Sequence, residues 1–357
     1  MVGRRLVGLG AGSPRRPADV SLGDATVVPG FVDMHVHGGG GGSFSEASAE
    51  GTRRAVELHA RHGTTTMVAS LVSAPPEELL RQVGVLAEQV EEGLVAGIHL
   101  EGPWLAPGRR GAHDASALRD PHPAEIDRVL RAGRGTIRMV TLAPELDGAH
   151  EAIKRVVGAG SVAAVGHTDA TYQQTRAAIA AGATVGTHLF NAMRPVHHRE
   201  PGPVVALLED PRVTVELIAD GVHLDAALAR HVWDSAGIDR VTLVTDAMAA
   251  AGMPDGEYRL GALPVRVADG VATVAGTTTI AGSTATMDEL FRYAVLHCNR
   301  DQDTALVAAA RLTSINPARA LGLPEPAMTE GASADLVVLD AALTVTAVMR
   351  RGTWATP

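Results

Sequence analysis

The sequence predicts an α/β fold: a (β/α)8 barrel of the TIM type with a small β-sandwich domain formed from both termini. Three observations carry this prediction. Eight short apolar runs are rich in β-branched residues, helical periodicity fills most of the gaps between them, and strand-like composition returns at both ends of the chain. Strands alternating with helices imply right-handed crossovers and a parallel sheet, and eight of them imply closure.

In order, the runs cover residues 27–37, 64–70, 95–101, 137–143, 161–167, 184–190, 213–220 and 241–246. Helical patterns occupy 48–62, 76–91, 123–132, 148–157, 170–181 and 224–235, while the gap before 213 is shorter and less clearly helical. Residues 257–275 read as small hairpins with Asp269-Gly270 as a turn. Two more helical segments, 287–297 and 304–312, lead into a Pro-rich stretch and a strand-rich tail. Residues 31–322 are therefore expected to form the barrel. Residues 1–30 and 323–357 supply the two parts of the β-domain, the N-terminal share being short.

Composition narrows the function. Of 357 residues, 46% are hydrophobic and 20% charged, the balance of a globular protein with a large core, and only ten residues are Phe, Tyr or Trp, so that core must be aliphatic. A net charge of −9 without a long basic run argues against nucleic acid as a partner. No apolar stretch reaches the ~20 residues that span a bilayer, the N-terminus lacks a signal-peptide h-region, and the single cysteine, Cys298, cannot form an internal disulfide. A cytoplasmic location without membrane insertion is expected.

In a barrel enzyme the active site lies where the strands end. Here the ends carry His35 and His37, Glu101, His167, His188, Asp220 with His223, and Asp246. His35 and His37 are two apart on a strand, so both rings share a face and can hold one cation. With Glu101, His167 and His188 they make five N/O ligand candidates for one or two divalent ions. Two-metal barrels often bridge their ions with a carbamylated lysine at the end of the fourth strand. The run 137–143 contains none, the only lysine is Lys154 in the next helical stretch, and Glu101 is left as the bridge. Asp246 is either a carboxylate outlying the metal ligands or the proton carrier, which would take a proton from a water whose pKa a metal lowers to about 7 and pass it to a leaving amine. The run Gly38 to Gly42 reads as a flexible loop rather than a phosphate cradle, Trp104 as a lid residue or a loop anchor, and Cys298 as core.

The ordered motifs PGFVDMHVHGGGG, HLEGPWL, VGHTDAT, THLFNAMRP, REPG, ADGVHL, LVTDAM and TIAGST resemble the N-acetylglucosamine-6-phosphate deacetylase family of the amidohydrolase superfamily, from about residue 28 to the C-terminus. The resemblance implies hydrolysis of the acetamide of a phosphorylated N-acetyl amino sugar. It makes Glu101, His167 and His188 the main metal ligands and Asp246 the acid/base, and Ala112, His113, Asn191, Ala192, Arg199, His223, Ile280, Ala281 and Gly282 substrate contacts. His223 either polarises the acetamide carbonyl or holds another oxygen of the substrate. Because His35 and His37 are both kept, two metals per chain are expected, zinc by default with iron as the alternative. Arginines such as Arg199 reach across a subunit interface in this setting, so a homodimer is expected. The rival readings are the same chemistry on N-acetylgalactosamine 6-phosphate, or an amidohydrolase acting on a cyclic amide or purine.

Overall fold

The structure, a computed structural model, describes residues 4–10 and 20–355. In chain order its strands are β1 (Thr26–Pro29), β2 (Phe31–Val36), the short pair β3 (Gly38–Gly39) and β4 (Gly42–Ser43), β5 (Thr64–Leu71), β6 (Gly97–Glu101), β7 (Ile137–Leu142), β8 (Val162–Val165), β9 (Ala183–Gly186), β10 (Thr214–Leu217), β11 (Val241–Leu243), β12 (Gly256–Leu260), β13 (Leu263–Ala268), β14 (Val271–Val274), β15 (Leu336–Leu339), β16 (Val345–Arg350) and β17 (Thr353–Ala355). The helices are α1 (Ala49–Arg61), α2 (Pro76–Glu91), α3 (Pro123–Ala132), α4 (Ala149–Gly158), α5 (Tyr172–Ala181), α6 (Gly202–Glu209), α7 (Ala226–Ala236), α8 (Met287–His297), α9 (Gln302–Ala310) and α10 (Asn316–Ala320).

Eight strands form one parallel sheet in the order β2-β5-β6-β7-β8-β9-β10-β11. Successive parallel neighbours require a crossover, and helices supply it. Apolar residues of these helices, among them Leu79, Val83 and Leu86 of α2 and Ile153 and Val156 of α4, are buried against Met67, Ile98, Leu100 and Val140 of the strands. A second cluster of Met34, Val68, Met139, Ala164, Val185, Ile218 and Val244, joined by Leu321, fills the barrel interior beneath the polar strand ends. The two edges of the sheet meet through main-chain bonds from Asp246 to the His35 carbonyl and from His37 and Gly38 to the Ala247 carbonyl. This is the (β/α)8 barrel that the alternation predicts.

Both termini build a four-stranded antiparallel sheet in the order β1-β15-β16-β17, and Arg5 bridges to Ser333 beside it. Leu6, Ala334, Leu336 and Met349 form a small core there, while Val28, Val337 and Leu339 belong to the main barrel core. The terminal β-domain is thus packed onto the barrel. Among the described residues no helix is long and apolar enough to cross a membrane.

Several predicted boundaries change, each for a physical reason. The first run is two strands in two sheets, divided at Gly30. A Cβ on Gly30 would lie 2.2 Å from Thr65 Oγ1, so the crossing needs glycine. The runs 161–167, 184–190 and 241–246 end early as strands because His167, His188 and Asp246 have positive φ, which terminates the ladder. The gap before 213 contains a regular helix, α6. The segment predicted at 304–312 is α9 followed by a π-helical turn, Arg311–Ile315, and α10. The glycine run is a packed turn rather than a flexible loop. Gly38 and Gly39 pair with Ser43 and Gly42, Gly40 and Gly41 donate to Ala251 and Ala249, and a Cβ on Gly42 would lie 2.1 Å from the Gly51 carbonyl oxygen. The hairpins β12–β13–β14 form as expected, with Asp269 and Gly270 both at positive φ in the turn.

Candidate active site

The strand ends converge at one rim of the barrel. His35 and His37 come from β2 and the residue after it, and Glu101 closes β6. His167, His188 and Asp246 follow β8, β9 and β11, each turned by a left-handed backbone (φ 47°, 26° and 49°). Non-glycine residues occupy that region at a cost, and three of them in one ring mark a place where geometry is held for function.

Glu101 is the common member of two groups. Its Oε1 lies 2.9 Å from His188 Nε2, 3.1 Å from His167 Nε2 and 3.4 Å from His35 Nε2. Its Oε2 lies 3.2 Å from His37 Nε2 and 3.3 Å from His113 Nε2. Asp246 Oδ1 is 3.2 Å from His37 Nε2 and 3.4 Å from His35 Nε2. One group is therefore His35, His37, Glu101 and Asp246, and the other is Glu101 with His113 and His167, with His188 beside it.

The pairing of nitrogens tests whether these residues fit a metal. His35 and His37 face each other Nε2 to Nε2 at 3.2 Å, and His167 and His188 do so at 3.0 Å. All four are buried, and His37 Nδ1 and His188 Nδ1 have no hydrogen-bond partner. Convergent imidazole lone pairs around a carboxylate are the borderline-soft N/O set that divalent transition ions prefer, so the donors fit the predicted metals.

Electrostatics keep the carboxylates ionised. Burial pushes Glu101 and Asp246 up, but the charges of His35 with His167 on Glu101, and of His35 with His37 on Asp246, overcome it and leave both below the usual carboxylate range. Burial depresses His113 to about 4, against its hydrogen bond to Glu101, so it remains neutral. His99, below the site, is also held neutral by burial and by His35, and it links Ser70 Oγ to Thr141 Oγ1.

A cavity of about 410 Å³ opens over this floor, lined by His37, Glu101, Ala112, His113, His167, His188, Asn191, Ala192, His223, Asp246, Ile280 and Gly282. Arg109 also lines it, tied to Asp169 and accepting at its carbonyl the His167 Nδ1–H. His223 is anchored by Asp220, whose Oδ2 takes its Nδ1–H at 2.7 Å while Oδ1 takes two main-chain N–H groups. Most sequence-assigned residues are thus brought together. Ala281 is not at the surface of the cavity. It is fully buried and donates its N–H to Ala272, holding the turn whose neighbours Ile280 and Gly282 line the wall. Arg199 lies outside the cavity of its own chain, exposed in the loop before α6 and bonded to His198. Trp104 is buried in the core as a loop anchor, and Cys298 is half-buried against it.

Three residues that matter were not assigned from sequence. Glu216 is a fully buried carboxylate contacting His35 and the His188 backbone, and its signal was a charge within the apolar run 213–220. Asp33 grips Thr245 Oγ1 at 2.5 Å, and burial pushes its carboxyl up to about 7 against that bond. Ser73 holds His113 Nδ1 through its hydroxyl at 2.9 Å. Neither Asp33 nor Ser73 belongs to a spacing pattern that indicates its partner.

Residues 26–355 match the amidohydrolase family. The N-acetylglucosamine-6-phosphate deacetylase of Mus musculus is 38% identical over 356 residues, covering 95% of this chain and 86% of the mouse protein. The N-acetylgalactosamine-6-phosphate deacetylase of Escherichia coli O157:H7 is 36% identical over 345 residues, covering 94% and 89%. Among solved structures, a point mutant of the Mycobacterium smegmatis N-acetyl-D-glucosamine-6-phosphate deacetylase, in complex with N-acetyl-D-glucosamine-6-phosphate, superposes with a TM-score of 0.98. It is 64% identical, and the match covers 99% of this chain and 93% of that one. The chain belongs to the amidohydrolase family, in its N-acetylglucosamine-6-phosphate deacetylase branch.

Proposed function

We propose that this protein hydrolyses N-acetyl-D-glucosamine 6-phosphate to D-glucosamine 6-phosphate and acetate, as an amino-sugar deacetylase of the cytoplasm. The observation that carries the reading is Glu101 shared between two histidine groups on the floor of a cavity that also presents Asp246 and His223. His35, His37, Glu101, His167 and His188 would hold two divalent ions, zinc by default. What such ions supply when bound is Lewis acidity toward the amide carbonyl and acidification of water near neutral pH.

The chain's own groups do the rest. Asp246, clamped at both its backbone N–H and its carbonyl, keeps its carboxylate over His35 and His37, where it takes a proton from the attacking water. As the new C–O bond forms and the C–N bond breaks, Asp246 returns that proton to the leaving amine nitrogen. His223 is fixed by Asp220 with Nδ1 protonated, so its Nε2 faces the substrate and donates to the acyl oxygen when the ring is charged. Asn191, Ala192, Ala112, His113, Ile280 and Gly282 shape the sugar pocket.

The phosphate requires a cation. Arg199 stands outside its own cavity in an exposed loop, which supports a homodimer in which it serves the neighbouring copy. The test is acetate release from N-acetylglucosamine 6-phosphate, its galactosamine epimer and the unphosphorylated sugar, with metals counted per chain. Preference for the first, with about two metals, is expected. A better rate on the epimer would move the substrate, and equal rates without phosphate would remove the role of Arg199. Mixing Arg199→Ala with Asp246→Asn protein should restore activity, since one hybrid site then carries both native residues. No recovery would return Arg199 to its own chain.

A further inference from the structure

Glu216 is fully buried on β10, it does not line the cavity over the site, and its Oε1 has no hydrogen-bond partner among the described residues. All its side-chain bonding is directed at the two histidine groups. Oε2 lies 3.1 Å from His35 Nδ1 and accepts the main-chain N–H of His188, also at 3.1 Å, while the Glu216 carbonyl accepts the N–H of Leu189. Oε2 already accepts the His188 N–H and accepts from His35 Nδ1 as well, so His35 is held by that nitrogen and turns Nε2 toward His37, Glu101 and Asp246. The contrast with the other ligands is specific. His37 and His188 have no partner at Nδ1, and His167 donates there to a main-chain carbonyl. His35 alone among these four meets a carboxylate at Nδ1.

We infer that Glu216 is the positioning residue that makes the His35–His37 group competent to hold the second divalent ion. This rests on the two-metal reading above. Geometry supports it: Glu216 engages His35 at the nitrogen opposite the one turned to the site, and so orients the ring without occupying a ligand position. Its bond to the His188 backbone also ties the second group to the segment that carries the first.

The experiment is titration of metal-free wild type and Glu216→Gln protein with Co2+, following the d–d absorption and counting bound metal, with thermal melting as a folding check. Wild type is expected to take two equivalents. Glu216→Gln should take the first with unchanged affinity, which serves as an internal control for folding, and bind the second weaker by on the order of 10–100-fold. Excess Co2+ should then restore its second absorption step, a rescue that general loosening of the fold would not give. His35→Gln should produce the same loss, and the double variant should add nothing further. Two equivalents of wild-type affinity in Glu216→Gln would overturn the inference and leave the two-metal reading standing. A single equivalent in wild type would remove both.

Discussion

The main-chain N–H of Asp246 donates to the carbonyl of His35 at 2.9 Å, and this bond helps join the two edges of the barrel sheet. The strand after which Asp246 follows, β11, is only three residues long and has no ladder with β2, so closure depends on the same residues to which the proposed chemistry is assigned. Asp33 reinforces the seam by holding both Oγ1 and N–H of Thr245, one residue before Asp246. Asp246 and the first histidine pair are therefore fixed relative to each other by covalent neighbours and short bonds.

Asp246→Asn keeps the shape and the seam but cannot accept a proton. Metal content should be unchanged and kcat should fall by on the order of 10²–10⁴-fold. Acetate release measured beside elemental analysis checks this, and near-normal turnover would sink the assignment.

Gly282 sits at φ +65° where a Cβ would come within 2.7 Å of the Asp246 carbonyl oxygen, a backbone atom that cannot swing away. Gly282→Ala should lose about 1–3 kcal/mol of stability and displace Asp246, lowering kcat more than it raises KM. Urea denaturation with steady-state kinetics reads both. A variant as stable and active as wild type would show that this contact relaxes freely.

Burial works against a charged His223, but the Asp220 hydrogen bond and charge outweigh it and hold the imidazole above its ordinary value. If the charged ring supports the acyl oxygen, activity persists below that raised pKa and is lost above it. Asp220→Asn removes the charge, so the alkaline limb of the kcat profile should move to lower pH. An unmoved limb would assign it to another group.

His62, at the end of α1, donates to Asp288 at the start of α8 at 3.0 Å, and this bond raises its pKa despite partial burial. A raised histidine contributes stability that is complete below the unfolded value near 6.5 and disappears as pH rises through the folded value. His62→Gln should therefore lower the urea midpoint at about pH 6 and leave it close to wild type at about pH 9. An equal lowering at both pH values would mean that His62 acts through packing alone.

The barrel and the ring of polar strand-end residues are legible because both follow from periodicity: apolar runs repeat, and polar groups occur at their ends. His35 and His37 show this directly, since a spacing of two places both on one face. Glu216, Asp33 and Ser73 were illegible for the opposite reason, their partners lying 181, 212 and 40 residues away in sequence. Strand limits failed where left-handed residues such as His188 stop a ladder within an apolar run. The first run failed because an unbroken pattern does not reveal that Gly30 passes the chain from one sheet to another.

The shared carboxylate has one more consequence. Where a barrel uses a modified lysine between its ions, the centre matures only after dissolved carbon dioxide reacts with the amine, and it decays when that gas is removed. In this protein the residues on β7 that face the interior include Thr141, bonded to His99 and Thr187, and the atoms between the two histidine groups come from Glu101 itself. A metal centre built on these residues would thus be encoded completely in the polypeptide, and its assembly would need neither bicarbonate nor a modified side chain.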